Sequence, residues 1–272
     1  RAVTTVSGDT RRRARIAATL LSLAGRDDIE VAAGLDTPPT APGRRAAWMG
    51  HEGVGLPGDR EPPPISQRDA VTALIEAASG THLAVIGMHT NIAAALEREP
   101  RMAEQIPRLA LMGGVFSDGD QDGKGFAPED DHNLVVDPQA AARVLNSGAM
   151  LRYVPGDVTV RTVLTTAQRD RLRRGDRLCR ALADLIDRWT PILRRRAPDM
   201  PAEQVAALHD PLTVAALVDY RHITIERKPV RAWIEDGIVH TAVDVHQGRP
   251  AEIVTDVDAT SFAEAWLETV LG

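Results

Sequence analysis

Leu83-Ala84-Val85-Ile86-Gly87-Met88-His89-Thr90-Asn91-Ile92-Ala93-Ala94-Ala95-Leu96 holds the fold in one unit. Four apolar residues in a row read as a buried strand over 83–86. The apolar positions after Thr90-Asn91 read as a helix. The unit recurs on both sides. Upstream, residues 2–7 are a β-rich run, Gly8-Asp9 leads into a helical stretch over 10–25, and residues 29–33 read as a strand ended by Gly34. Residues 66–79 read as a helix. Downstream, 109–112 is a short apolar strand ended by Gly113-Gly114, Asp137-Pro138 opens a helix, and 150–154 is a strand. Residues 165–197 are helical and Arg-rich, and Asp210-Pro211 starts another helix. Residues 222–257 read as strands with a turn at Asp236-Gly237, and a helix runs from about Ser261. Short strands alternating with helices predict an α/β fold with an open, mostly parallel sheet, helices on both faces and late antiparallel strands. The polar stretches 36–65 and 115–133 follow strands directly. Ligands of open α/β sheets bind at the carboxyl ends of the strands, and long loops there are usually functional.

The chain has 272 residues, about one large domain at roughly 100–200 residues per domain. At 43% apolar and 26% charged it is neither disordered nor fibrous. Aromatics are scarce, so Ala, Val, Leu and Ile must build the core. The 32 basic and 38 acidic residues give a net charge of −6. Nucleic-acid phosphate favours the opposite sign, so no nucleic-acid partner is expected. Cys179 is the one cysteine, which excludes an internal disulfide and a cysteine-rich metal cluster. It lies in a helical apolar pattern and reads as an inert buried thiol. No apolar run approaches the ~18–20 residues of a membrane span, and no secretory leader opens the chain. A cytoplasmic protein without a membrane partner is expected.

Three stretches carry chemistry beside an ordinary structural reading. In Leu208-His209-Asp210-Pro211-Leu212, Asp210 is a good helix cap and Pro211 suits the first helical position. The same residues would place a carboxylate and an imidazole side by side, one for a metal and one for a proton. In Gly87-Met88-His89-Thr90-Asn91, Thr90 or Asn91 is a candidate cap and His89 is read as facing solvent, or the turn faces a ligand crevice. In Asp131-His132-Asn133, Asp131 and Asn133 share a face if the segment is extended, a pair suited to sugar hydroxyls. The alternative is a solvated acidic loop. Asp118, Asp120, Asp122, Gly123 and Glu129 match the spacing of an EF-hand calcium loop. A strand precedes them where a helix belongs, and Pro128 disturbs the exit, so this is read as a decoy.

Taken in order, these pieces resemble the inosine–uridine nucleoside hydrolase family. The matching stretches are Thr4-Thr5-Val6-Ser7-Gly8-Asp9, Ile86-Gly87-Met88-His89-Thr90-Asn91-Ile92-Ala93, Leu111-Met112-Gly113-Gly114, Asp131-His132-Asn133-Leu134-Val135-Val136-Asp137-Pro138 and Leu208-His209-Asp210-Pro211-Leu212. Gly50-His51-Glu52-Gly53-Val54-Gly55 loosely resembles the family's Gly-rich loop. The resemblance implies a single nucleoside-hydrolase-like domain over 1–272. It implies hydrolysis of the N-glycosidic bond of a ribonucleoside or related ribosyl compound, with a Ca²⁺ cofactor assisting water attack through an oxocarbenium-like transition state. Asp210 would be a calcium carboxylate and Thr90 a carbonyl ligand. Asn133, Asp131 and Asp9 would bind ribose, and His209 would protonate the departing base. A homodimer or homotetramer is implied.

The sequence departs from the family pattern at several places. The family's opening Asp-x-Asp-x-x-x-Asp-Asp motif has no counterpart, and the chain begins at Arg1 directly in what matches the second strand. An upstream first strand and helix are therefore expected. Gly125 falls where the family has a ribose-binding Asn, and Met49 where many members have His. The other reading is a catalytically inactive member that binds a nucleoside or ribosyl ligand, or a protein partner.

Overall fold

The computed structural model describes residues 2–36, 51–54, 56, 63–116 and 126–272. β1 (Ala2–Thr5), α1 (Thr10–Leu23) and β2 (Glu30–Ala33) come first. β1 and β2 pair in parallel as a two-stranded sheet of their own. Next come α2 (Ala70–Ala78), β3 (Leu83–Val85), α3 (Thr90–Arg98), α4 (Met102–Gln105) and β4 (Leu109–Met112). α5 (His132–Val135), α6 (Pro138–Leu145), β5 (Leu151–Val154) and α7 (Gly156–Thr159) follow. A second unit holds β6 (Val163–Thr165), α8 (Thr166–Arg173), α9 (Arg177–Arg196), β7 (Gln204–Ala207) and α10 (His209–Val218). β8 (Ile223–Glu235), β9 (Ile238–Val243), β10 (Arg249–Val257) and α11 (Ala259–Leu271) end the chain.

The main sheet has six strands in the order β3-β4-β5-β10-β8-β9. β3, β4, β5 and β10 are mutually parallel, whereas β10-β8 and β8-β9 are antiparallel. The sheet is thus mixed, its parallel strands joined by the expected late antiparallel ones. The physical reason is the tail. A strand that returns by a tight turn must run antiparallel, and Asp236 (φ 49°) and Gly237 (φ 79°) make such a turn between β8 and β9.

Alternation along the central strands feeds two cores, one on each face. Leu151 and Tyr153 of β5 and Ala251 and Ile253 of β10 face the core built by α2, α3, α4 and α6. Val154 and Val254 face the core that holds Leu212 and Ala216 of α10 and Leu267 of α11. The scarcity of aromatics shows here, because only Tyr153 is a large ring among the fully buried side chains described.

Several expectations need correction. The Arg-rich helix over 165–197 is two helices, broken at Gly175. The Asp176 carboxylate caps the second by accepting from the Cys179 N–H at 2.8 Å. Ile86 is not buried but 43% exposed. Residues 128–130 and 132–135 are helical turns, not loop. Cys179 is buried, as expected.

Candidate functional site

The turns after β3 and β4 and the segment 131–137 meet where those two strands end. Leu111 and Met112 finish β4, and Gly113 (φ 152°) and Gly114 (φ 94°) turn the chain through a region that disfavours side chains. A Cβ on Gly113 would lie 3.1 Å from the Asp131 carboxylate. Its absence lets Asp131 Oδ2 accept from the Gly114 N–H at 2.7 Å, while Oδ1 accepts from Leu134 N–H at 3.3 Å. Asp131 is 1% exposed. Burial raises its pKa to about 6 against the pull of those N–H groups. Asn133 donates from Nδ2 to the Met112 carbonyl at 3.1 Å. Asp131 and Asn133 are thus brought together, but not on one face of an extended strand. Asp131 caps α5, Asn133 lies within it, and both fold back on the same turn.

The turn after β3 is tied down from three sides. Thr90 Oγ1 donates to Asp137 Oδ2 at 2.7 Å, and Asp137 Oδ1 accepts from Ala140 N–H at the start of α6. Asn91 donates to the Thr5 carbonyl at 2.8 Å and accepts from Leu35 N–H at 2.9 Å. Neither Thr90 nor Asn91 caps α3. His89 occupies the cap position and makes no capping bond. His89 is also not solvent-facing. It is fully buried, and neither ring nitrogen has a hydrogen-bond partner among the described residues. Burial pushes its pKa down to about 4, opposed by the Asn133 backbone and the Asp137 charge. The ring therefore sits neutral beneath the Asn133 turn.

α10 begins at His209, with Leu208 at the cap position. Asp210 is therefore in the first turn, not its cap, and Pro211 is the third helical residue. Freed from capping, the Asp210 carboxylate has no hydrogen-bond partner among the described residues, and burial alone raises its pKa to about 6. The His209 Nδ1 lies 2.8 Å from Thr159 Oγ1 at the end of α7. Burial lowers its pKa, so the imidazole is neutral at pH 7. If the Thr159 hydroxyl proton points to the Gly156 carbonyl (3.3 Å), Nδ1 is the donor and Nε2 is bare. In the other tautomer Nε2 carries the proton. Either way Nε2 is the nitrogen left for a ligand.

Asp9 does not join this group. Its carboxylate caps α1 by accepting from Arg12 N–H at 2.9 Å, and the residue is exposed. Within α1, Arg13 makes a two-pronged pair with Glu52 (2.8 and 2.9 Å) and donates to the Val6 and Ser7 carbonyls. The next residue back, His51, packs on Trp189 of α9 with ring centroids 5.2 Å apart. These rings border a largely apolar cleft of about 310 Å³ that also meets Trp266 and Leu208, the neighbour of His209. No sequence motif pointed to Trp189 or Trp266, because the cleft joins segments far apart in the chain.

Calcium takes six to eight oxygen ligands. Asp210 has suitable chemistry, being a desolvated carboxylate without a partner. Thr90 is present, but its hydroxyl is held by Asp137. Among the described residues no three His, Cys, Asp or Glu side chains cluster to hold a metal. The described residues do not by themselves make a calcium site. Asp118, Asp120, Asp122, Gly123, Gly125 and Met49 lie outside the described residues. No helix among the described residues is long and apolar enough to cross a membrane.

Residues 1–264 match the family described as inosine-uridine preferring nucleoside hydrolase. The inosine-uridine preferring nucleoside hydrolase of Leishmania major is 28% identical over 273 residues, covering 94% of this chain and 82% of that one. Among solved structures, a purine-preferring ribonucleoside hydrolase from Gardnerella vaginalis superposes with a TM-score of 0.81 at 24% identity, covering 100% of this chain and 89% of the other. The type III effector protein XopQ, complexed with adenosine diphosphate ribose, has the same fold at a TM-score of 0.64 and 18% identity, covering 99% of this chain and 84% of its own.

Proposed function

The chain belongs to the inosine–uridine preferring nucleoside hydrolase family, and on that premise we propose that it hydrolyses the N-glycosidic bond of a ribonucleoside or related ribosyl compound. The observation that carries this reading is a pair of polar turns, one after β4 and one after β7. Asp131 and Asn133 are anchored on the turn after β4. His209 and Asp210 open α10, with the imidazole braced by Thr159.

Water adds to the anomeric carbon as the C–N bond breaks, and the departing base takes a proton. Cleavage builds positive charge on the sugar and negative charge on the base. On this reading the Asp210 and Asp131 carboxylates would offset the charge that develops on the sugar. His209 Nε2 faces the ligand and moves a proton toward the leaving base. The cleft beside Leu208, walled by His51, Trp189 and Trp266, suits a flat aromatic base and keeps bulk water from it. Calcium is typical of this family and would polarise the attacking water and the sugar diol when bound. Asp210 is the described residue best suited to touch it.

A second reading, a ligand-binding member without turnover, is favoured by two observations. Asp9 is consumed as a helix cap, and both Asp131 oxygens are held by backbone N–H groups. Incubation with inosine, guanosine, uridine and cytidine, followed by chromatography, separates the two. Free base and ribose in equal amounts support hydrolysis. Saturable nucleoside binding with no base released, with and without added Ca²⁺, overturns it in favour of the binding protein.

A further inference from the structure

We propose that one face of the β8–β9 hairpin, the face that carries Arg231, Trp233, Glu235 and His240, seats a second copy of this chain. The two copies pack face to face about a two-fold axis along the row of Trp233 and His240. The inference does not depend on the hydrolase reading.

The strand register puts six side chains on this face. Trp233 stands opposite His240, Arg231 opposite Ala242 and Glu235 opposite Ile238. Opposite residues of an antiparallel pair share a face, and so do residues two apart on one strand. The contacts agree with the register. The Trp233 and His240 rings stack with centroids 5.4 Å apart, and the Arg231 guanidinium lies 4.9 Å from the centre of the Trp233 ring. Trp233 Nε1 donates to Glu235 Oε2 at 3.3 Å. A tryptophan is thus flanked along its strand by a cation on one side and an anion on the other. Val230, Ala232, Ile234 and Val239 point the opposite way, into the core where α6 packs on both strands.

The composition of the face is that of an interface centre, where Trp and Arg are enriched. Aromatics make up only 3% of the chain. Of the three described tryptophans, Trp189 and Trp266 border the cleft, and Trp233 lies here, half-buried beside an exposed Glu235. The nearest acid to Arg231 in its own chain is Asp244 at 3.9 Å, too far for a hydrogen bond.

Symmetry names the occupant. Cation, ring and anion stand at 231, 233 and 235, evenly spaced about Trp233. A two-fold axis lying between two such faces and across the strands reverses the strand direction. It sets Arg231 against Glu235 of the partner subunit, and Glu235 against the partner's Arg231. In the same operation Ala242 meets Ile238 of the partner subunit, a small side chain opposite a large one. A two-fold axis along the strands would instead lay both charges over Ala242 and Ile238, without counter-ions. An unlike partner would need a matching pattern of its own, whereas a second copy already carries it.

Sedimentation velocity from about 1 to 100 µM, the weak end for interfaces of standard size, tests the pairing on the intact chain, Arg231→Glu and Glu235→Arg. The native chain is expected to pass from monomer to dimer over that range. Either variant alone sets like charges against each other twice and should weaken the dimer at least tenfold. An equimolar mixture of the two variants restores both ion pairs, so a dimer with one copy of each should return, which also shows that both variants are folded. A native chain that stays monomeric throughout overturns the inference and leaves the face to an unlike partner. A dimer that both variants leave intact overturns it by placing the contact on another face. Variants that lose the dimer and do not recover it on mixing overturn it as well.

Discussion

At the scale of single residues, a buried carboxylate, a half-buried one and a braced imidazole carry the proposed chemistry. Asp131 has its pKa raised to about 6 by burial, above the usual carboxylate value of about 3.9. Between those values the folded state holds a proton that the unfolded chain has released, so stability falls as pH rises from about 4 to 6 and is flat above. For Asp131 the fall is on the order of 1–3 kcal/mol. Asp131→Asn should flatten this part of the profile in urea titrations run in EDTA between pH 4 and 8. An unchanged slope would show that Asp131 ionises freely in the fold. His209 supports the leaving group through Nε2, so His209→Ala should slow inosine about 10²–10⁴-fold. It should slow p-nitrophenyl riboside, whose leaving group needs no proton, far less. Equal losses on the two substrates would remove His209 from that role. These residues were legible as types in the sequence. What they touch was not. Asp9 and Asp210 are both acids at the start of a helix, yet one is consumed as a cap and the other left bare. Local spacing does not distinguish them.

At the scale of elements, side-chain hydrogen bonds knit the strand ends into one floor. Asn91 joins the turn after β3 to the ends of β1 and β2 through the Thr5 carbonyl and the Leu35 N–H. Gly34 makes this possible, since a Cβ there would overlap both the Thr5 carbonyl and the Asn91 amide. Asn91→Ala leaves two backbone groups without partners in a partly buried seam and should cost about 2–4 kcal/mol. A fall in the urea midpoint at unchanged slope would show it, and a loss below about 0.5 kcal/mol would mean that water replaces the amide freely. The Thr90–Asp137 bond does the same between β3 and α6, and Asp137 also caps α6. The Asp137-Pro138 cap was readable because capping is local. The Thr90 partner was not, being 47 residues away.

At the scale of the whole molecule, the packing is uneven. The main sheet lies between two large apolar clusters, while α1 and β2 are held by a small one of Ala14, Ala18 and Val31. Local opening should therefore cost least in the β1–α1–β2 unit. In native-state hydrogen exchange, amides of 3–5 and 31–33 should exchange at least tenfold faster than those of 109–112 and 151–154. Uniform protection would mean that the molecule opens as one unit. The same scale explains what was and was not readable. Short apolar runs between helical stretches were enough for an α/β fold with its polar turns on the strand ends, because strand burial and helix periodicity are written locally. Family membership was readable for a related reason, since five short motifs survive in order along the chain. The separation of β1–β2, the burial of His89 and the cleft of His51, Trp189 and Trp266 were decided only in three dimensions. Each depends on residues brought together from distant segments by the two cores, and no local pattern records which segments those cores will join.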